Sequence, residues 1–435
     1  MASGARTSLR VTENEPGLPA RIAALDLLDA ALGRRNGLDE AMGAPGLAGL
    51  APRDRGFALA AAMATLRALG PIDRALDARL QREPTPRVRQ ILRLGLAQAL
   101  ALGTPAHAAV DTSVSLVARG GTAGFKGLVN AVLRAVLREP PALDDPDLLA
   151  PDWLYARWRA AFGEAEARQI AACIAPEPPT DLTCRDPADV EALAAELEAQ
   201  TLPGGTLRTD RRGDVAGWPG FAEGRWWVQD AAAAIPARLL NIAPGETVLD
   251  LCAAPGGKTL QQAAAGGQVT AVDRSSARLR RVEENLARMG FKAEVVAADA
   301  AEWRDERQFD AVLLDAPCSA TGTFRRHPDV LWAARPGDVA SLAAVQSRLL
   351  DAAARRVRPG GRLVYCVCSL EPEEGEAQAA AFVARSPEFA IDPIRSEEGG
   401  APEASLRPDG TLRILPHHRP GGLDGFYIAR FLRHS

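Results

Sequence analysis

The chain is predicted to be a multidomain α and α/β protein: an all-α N-terminal bundle, a small α+β linker domain and a C-terminal doubly wound sheet that carries the chemistry. Three observations lead there. From Ala20 to Arg138, apolar residues recur at helical spacing. From Glu246 onward, short apolar runs that each end at an acid alternate with amphipathic stretches, as strands and helices do in an open parallel sheet. A Pro- and Asp-rich stretch, Pro140-Pro141 through Pro151, separates the two regimes. The predicted boundaries are 18–140, 150–235 and 236–435.

In the N-terminal part, Ile22, Leu25, Leu28 and Leu32 share one helical face, as do Leu59, Met63 and Leu66, then Val110, Val114 and Val117, then Val129, Val132 or Leu133, and Val136. Breaks are expected at Pro52, Gly70-Pro71, Pro84–Pro86, Gly103–Pro105 and Gly120-Gly121. No chemistry is visible in these helices. Residues 1–145 hold 18 Lys or Arg against 14 Asp or Glu, so this part is +4 while the whole chain is −4. That overall charge excludes a generic polyanion binder and leaves room for a local basic surface.

With 435 residues, ordinary hydrophobic (47%) and charged (24%) fractions and no long uncharged apolar run, the chain reads as globular and not membrane-bound. The opening residues MASGARTSLRVTENEPG lack the apolar core of a signal peptide, so a cytoplasmic location is expected. Six cysteines in such a length make no disulfide framework, and no pair has the partner pair that a metal site needs. Reduced thiols, no metal and a monomer are the expectation.

In the linker domain, Trp153, Leu154, Trp158 and Phe162 suggest packed helices, followed by a mixed segment over 180–224. Trp226 and Trp227 then precede a helix, AAAAIPARLL; they suit either a hydrophobic hinge or a surface on which RNA bases stack.

The sheet centres on ETVLDLCAAPGGK, 246–258. Val248, Leu249 and Leu251 predict a strand buried on both faces. Cys252, Ala253, Ala254, Pro255, Gly256, Gly257 and Lys258 then form a small-residue loop leading into a helix, and such a loop lets backbone approach a ligand closely. The spacing is neither GxxxxGK[ST] nor GxGxxG. A second strand, QVTAVD, ends at Asp273 about 20 residues on, where doubly wound folds place a ribose-binding acid; Asp273 could equally cap the helix starting at Ser275-Ser276. AEVVAAD ends at Asp299 and FDAVLLD at Asp315, so Asp250, Asp273, Asp299 and Asp315 are expected along one rim. Further on come a helix over 338–357, a turn at Arg358–Gly361, the strand RLVYCVCSL with Cys368 at its end, and a helix opened by Glu371-Pro372-Glu373-Glu374. TLRILP and GFYIARFL predict a closing antiparallel hairpin.

Two sets of residues resemble known families. AHAAVDTSVSLVARGGTAGFKGLVNAVLR (106–134) is similar to NusB-like RNA-binding helical domains. DLCAAPGGKT, DAPCSATG with the following RRHPD, CSL and the final LDGFYIA resemble the RsmB/NOL family of S-adenosylmethionine-dependent RNA cytosine-5 methyltransferases. One departure is Val367 before Cys368, where that family commonly has Thr.

The resemblance implies a Rossmann-like class I methyltransferase sheet and S-adenosylmethionine as cofactor. It would be held by 252–258, with Asp273 at the ribose, Asp299 near the adenine and Asp315 near the methyl. It also implies Cys368 as the nucleophile that adds to cytosine C6 and makes C5 reactive, its thiolate favoured by a nearby helix N-terminus. Asp315 would hold or protonate N3, and Cys318 would assist loss of the C5 proton or release of the adduct. The plain alternative for each cysteine is a buried apolar thiol, and Cys366 is expected to be that. Arg325, Arg326 and Lys126 would contact RNA, the arginines chiefly at phosphates. Small-subunit (16S) ribosomal RNA is the expected substrate. The competing readings are the same chemistry on tRNA or another RNA, and a non-catalytic NusB-like RNA-binding factor.

Overall fold

In a computed structural model of the chain, residues 17–34, 38, 41, 43, 45–119 and 121–435 are described. The stretch read above for a signal peptide, save Gly17, and the expected break at Gly120 lie outside them. The chain divides into two units: Met1–Arg159 with Glu164–Pro176 and His327–Ala333, and Glu177–Arg326 with Ala334–Ser435 and the short Ala160–Gly163.

The first unit is helical. Its main helices are α1 (Leu18–Leu28), α2 (Pro52–Arg67), α3 (Leu69–Asp77), α4 (Pro86–Leu100), α5 (Ala106–Arg119) and α6 (Lys126–Arg138). The expected apolar faces meet in one core in which Leu25, Leu28, Leu66, Val117, Val129, Leu133 and Val136 are buried. Gly95 of α4 permits close packing, because a Cβ there would lie 2.5 Å from Ser113 Oγ of α5. One expected break shifts: α3 starts at Leu69 and takes Gly70-Pro71 into its first turn, where proline's missing N–H costs no helical hydrogen bond. Several arginines of this unit are tied up in ion pairs, including Arg87–Asp29 (2.5 Å), Arg89–Asp77 (2.6 Å) and Arg93–Asp73 (2.5 Å).

Of the helices expected in the linker domain, α7 (Asp152–Phe162) and α8 (Glu164–Ala172) fall largely within this first unit. The 150–235 segment is therefore divided, 150–159 and 164–176 falling in the first unit and 160–163 and 177–235 in the second.

The second unit opens with a small antiparallel sheet of β1 (Thr180–Cys184), β2 (Gln200–Leu202), β3 (Thr206–Thr209) and β4 (Trp226–Val228), in the order β2-β3-β1-β4. A helix, α9 (Val190–Leu197), packs on it. Trp226 is fully buried and 5.4 Å from the Phe221 ring; Trp227 is 4% exposed and packs with Ala254, Leu260 and Val282. Neither ring is a surface for stacking bases.

After α10 (Ala231–Leu239) the large sheet follows: β5 (Thr247–Leu251), α11 (Gly257–Ala264), β6 (Gln268–Asp273), α12 (Ser276–Met289), β7 (Glu294–Ala297), β8 (Phe309–Asp315), α13 (Pro336–Arg355), β9 (Val357–Val367), α14 (Glu376–Arg385), β10 (Phe389–Ile391), β11 (Leu412–Ile414) and β12 (Phe426–Arg433). Its order is β10-β12-β9-β8-β5-β6-β7, with β11 paired to β12. Strands β5 to β9 pair in parallel and β12 joins them antiparallel, so the order reverses beside β5 and opens a crevice at the carboxyl ends of β5 and β8. The expected closing hairpin is present, Leu412 opposite Ile428.

Three local expectations are corrected. β7 stops at Ala297, leaving Asp299 two residues beyond the strand. Arg358–Gly361 is a bulge within β9, where the register against β8 jumps between Phe309–Val357 and Ala311–Arg362. Glu371–Glu374 lies in turns ahead of α14, which starts only at Glu376. Among the described residues no helix is long and apolar enough to cross a membrane.

Candidate active site

The four acids expected on one rim have four different settings. Asp250 sits inside β5 and is fully buried; Thr259 Oγ1 donates to its Oδ2 at 2.6 Å while Oδ1 has no partner. Burial pushes its pKa up to about 7, so it is a structural acid under the loop. Asp273 is 3% exposed, and its oxygens accept the amides of Ser275 (2.8 Å) and Ala254 (3.2 Å). The cap of α12 is Ser275, whose Oγ accepts the Arg278 amide, so the cap reading of Asp273 is corrected, while each of its carboxylate oxygens keeps a second acceptor site for a ligand. Asp299 is exposed, with Oδ1 on the Ala301 amide at 2.9 Å. Asp315 closes β8 and is partly buried; Lys258 Nζ donates to its Oδ2 at 2.7 Å, and the Cys366 thiol lies 3.4 Å from Oδ1.

That ion pair joins the two sequence motifs. Lys258 is in the first turn of α11 and Asp315 at the end of the neighbouring strand, so the loop after β5 is pinned to the Asp-Ala-Pro-Cys segment. Burial alone would lower the Lys258 pKa; the attraction of Asp315 outweighs it and the pKa is raised. The ammonium also lies 5.5 Å from the centre of the Phe426 ring.

The loop is shaped for a ligand. Cys252 adopts φ 60, a left-handed conformation that a non-glycine residue holds only when its surroundings enforce it, and Gly256 follows at φ 105. The Cys252 thiol is pushed up to about 12, first by burial and then by the charges of Asp315 and Asp273, so it is a neutral wall and no nucleophile. The loop offers first-turn amides of α11 as donors, space beside the small residues Ala253, Ala254, Gly256 and Gly257, and the carboxylates of Asp273 and Asp299 as acceptors. It matches an amino-acid end, a ribose and an adenine, which are the parts of S-adenosylmethionine.

Cys318 and Cys368 are brought together. Their sulfurs are 3.5 Å apart, both half-buried, one after β8 and the other just past β9. The Cys318 pKa is raised well above normal, first by its hydrogen bond with Cys368 and then by burial. The helix expected to favour a Cys368 thiolate is set back to Glu376. Lys258 and Arg326 are the cations electrostatically coupled to Cys368. Cys366 is fully buried, and burial followed by Asp315 pushes its thiol well up, in keeping with the structural role expected for it.

Glycines hold the two thiol segments together. The Gly322 amide donates to Cys368 O at 3.0 Å and the Gly425 amide to Gly322 O at 2.8 Å; a Cβ on Gly322 would come within 2.1 Å of Gly425 O. The Ser-Ala-Thr-Gly and Leu-Asp-Gly sequences therefore form one backbone junction behind the sulfurs.

Arg325 and Arg326 are corrected as RNA phosphate ligands. Arg325 is 3% exposed, bonded to Asp230 Oδ2 (3.4 Å) and Gly421 O (2.5 Å), and Arg326 pairs with the fully buried Asp424. Both serve to hold internal carboxylates, and only Arg326 reaches the surface, with a third of its side chain. Lys126 is exposed at the start of α6. Sequence reasoning missed the Lys258–Asp315 pair and the Asp424 partner of Arg326, although the Leu-Asp-Gly sequence offered a signal for the latter.

Comparison with known proteins agrees with this geometry. Residues 237–432 match the family model described as 16S rRNA methyltransferase RsmB/F, and 18–138 match the NusB family. The ribosomal RNA small subunit methyltransferase B of Xanthomonas campestris is 39% identical over 96% of this chain and 98% of its own, and that of Pseudomonas putida 38% identical over 95% and 98%. Among solved structures, PH0851 superposes with a TM-score of 0.77 at 26% identity, covering 97% of this chain and all of that one. A methyltransferase homologue from Pyrococcus horikoshii gives 0.56 at 25%, covering 69% and 98%. With a cofactor loop, a thiol pair and a helical domain each in place, the chain belongs to the RsmB/F family of S-adenosylmethionine-dependent methyltransferases.

Proposed function

We propose that the protein methylates C5 of a cytosine in small-subunit ribosomal RNA. The observation that carries the reading is the 3.5 Å thiol pair beside the Lys258–Asp315 ion pair, at the crevice that the cofactor loop borders. S-adenosylmethionine is held by 252–258, with Asp273 at the ribose and Asp299 near the adenine; once bound it supplies an electrophilic methyl group.

Cytosine C5 is a weak nucleophile. The Cys368 thiolate forms a bond to C6, and the displaced electron pair is carried through the ring so that C5 can accept the methyl. Negative charge that grows at N3 is met by a proton or hydrogen bond from the Lys258–Asp315 pair. After methylation the C5 proton is lost to a base as the C6–S bond breaks, Cys368 leaves as thiolate and 5-methylcytosine is restored; Cys318 assists this release, acting as the base only after its own thiol proton has passed to water. Thiol and sulfonium chemistry suffice, so the reading needs no metal. A protein that works on ribosomal RNA as a monomer in the cytoplasm completes it.

The base must leave its stack to reach half-buried thiols, so a domain that grips RNA elsewhere suits the task. The NusB-like helices, Lys126 among them, are assigned that role. The names of the curated relatives support ribosomal RNA as the substrate class. The test is bisulfite mapping of ribosomal and transfer RNA from a strain lacking the protein. Loss of a protected cytosine in 16S RNA is expected; loss confined to tRNA would contradict the substrate.

A further inference from the structure

Both cysteines are followed by serine, Cys318-Ser319 and Cys368-Ser369, and the two serines converge on one carboxylate. Glu374 is fully buried, and among the described residues no Lys or Arg pairs with it. It is held by neutral donors alone. The Ser319 amide donates to Oε1 at 2.9 Å and Gln346 Nε2 to Oε1 at 3.1 Å; Ser369 Oγ donates to Oε2 at 2.5 Å and Ser319 Oγ to the same oxygen. Gln346 Nε2 also reaches Pro317 O at 3.0 Å, and the Tyr365 hydroxyl bonds the Glu374 carbonyl at 2.5 Å. A buried charge without a cation is costly unless hydrogen bonds saturate it, and here those bonds run to the neighbours of the two sulfurs.

We infer that Glu374 is a positioning residue for both thiols: its carboxylate clamps the Pro-Cys-Ser segment to the Cys-Ser segment and so sets the gap between the sulfurs. Attack and release must act on one base within one turnover, so the two sulfurs need a fixed spacing, and thiols on separate loops have none without a tie. This rests on reading Cys368 and Cys318 as the reacting thiols. The carboxylate is a better clamp than an amide, but an amide can replace it in part: serine hydroxyls accept as readily as they donate, so Glu374→Gln can keep the two Oγ contacts with their sense reversed.

The test compares Glu374→Ala, Glu374→Gln and the double variant Ser319→Ala/Ser369→Ala in the full-length protein. Methyl transfer is expected to fall at least about 100-fold for Glu374→Ala, with cofactor Kd and RNA KM within about threefold of the wild type, and to recover about tenfold or more in Glu374→Gln. The double serine variant, which leaves the charge in place, is expected to lose about 10-fold or more and decides the matter if Glu374→Ala does not fold. A second readout needs no RNA. Diamide takes up two hydrogen atoms as two thiols become one disulfide, and peptide mapping should show Cys318–Cys368 coupling at least about tenfold slower in the double serine variant. Unchanged methyl transfer and unchanged coupling would overturn the clamp. So would equal losses in methyl transfer and cofactor binding, which mark general damage. If coupling slows as expected while Cys368→Ala still forms an RNA adduct, the clamp stands and the thiol roles fail, so the two failures are distinct.

Discussion

Lys258→Met removes the ammonium from Asp315 while keeping most of the side chain's length and apolar bulk. Unit charges at roughly 4 Å in an effective dielectric of about 20 interact by about 4 kcal/mol. The Lys258 side chain is 12% exposed and that of Asp315 30%, so solvent screens part of this, and we take about half, about 2 kcal/mol. On the proposed mechanism, Asp315 in the variant faces the base as an uncompensated charge where negative charge grows at N3. The transition state for attack should lose that much stabilisation, which is about 30-fold in rate. Single-turnover methyl transfer under saturating cofactor and RNA measures it, and the rate of adduct formation in a Cys318→Ala background isolates the attack. Cofactor affinity, measured by calorimetry, serves as the control for loop damage. A rate within threefold of wild type, with cofactor binding intact, would refute the role given to the pair.

Three other outcomes are expected. Asp273→Ala should weaken cofactor binding at least about tenfold by isothermal titration, the loss of one charged hydrogen bond; unchanged affinity would remove Asp273 from the ribose. Asp250 has a folded pKa of about 7 against an ordinary 3.8, so the folded state binds the extra proton and its stability falls as pH rises from about 4 to about 7, by up to roughly 4 kcal/mol at about 1.4 per unit. Thermal midpoints of wild type should therefore drop between pH 5 and 8 more than those of Asp250→Asn; parallel profiles would contradict the buried, raised acid. Lys126→Ala should weaken RNA binding and reduce the salt slope by about one, and an unaltered slope would place the RNA contacts elsewhere.

The sequence made the central loop legible because the constraint there is local: a buried strand, small residues and a helix start within 13 residues dictate the backbone. The same holds in good part for the helical faces of the first unit: Leu25, Leu28, Leu66, Val117, Val129, Leu133 and Val136 are buried as their spacing implies, while Ile22, Leu32, Leu59, Met63 and Val114 pack partly buried against that core. Charge partners were far less legible. Arg325 and Arg326 sit in a basic run after Cys318, and nothing local shows that Asp230 and Asp424, about 100 residues away on either side, absorb them. Glu374 read as a helix-opening acid because its spacing fits one, whereas its side chain turns back to two serines, one 55 residues upstream. Asp250 looked like the other strand-end acids but lies one residue inside β5, which buries it. Long-range polar contacts depend on which strands become neighbours, and that order is a property of the assembled sheet.

The division of labour between the sulfurs is tested most directly by a denaturing gel of protein with cofactor and RNA. Cys318→Ala should add Cys368 to C6, transfer the methyl and then stall, giving a slowly migrating protein–RNA adduct; Cys368→Ala should give none and be inactive; Cys366→Ala should turn over as the wild type does. An adduct with Cys368→Ala, and none with Cys318→Ala, would make Cys318 the nucleophile and contradict the account.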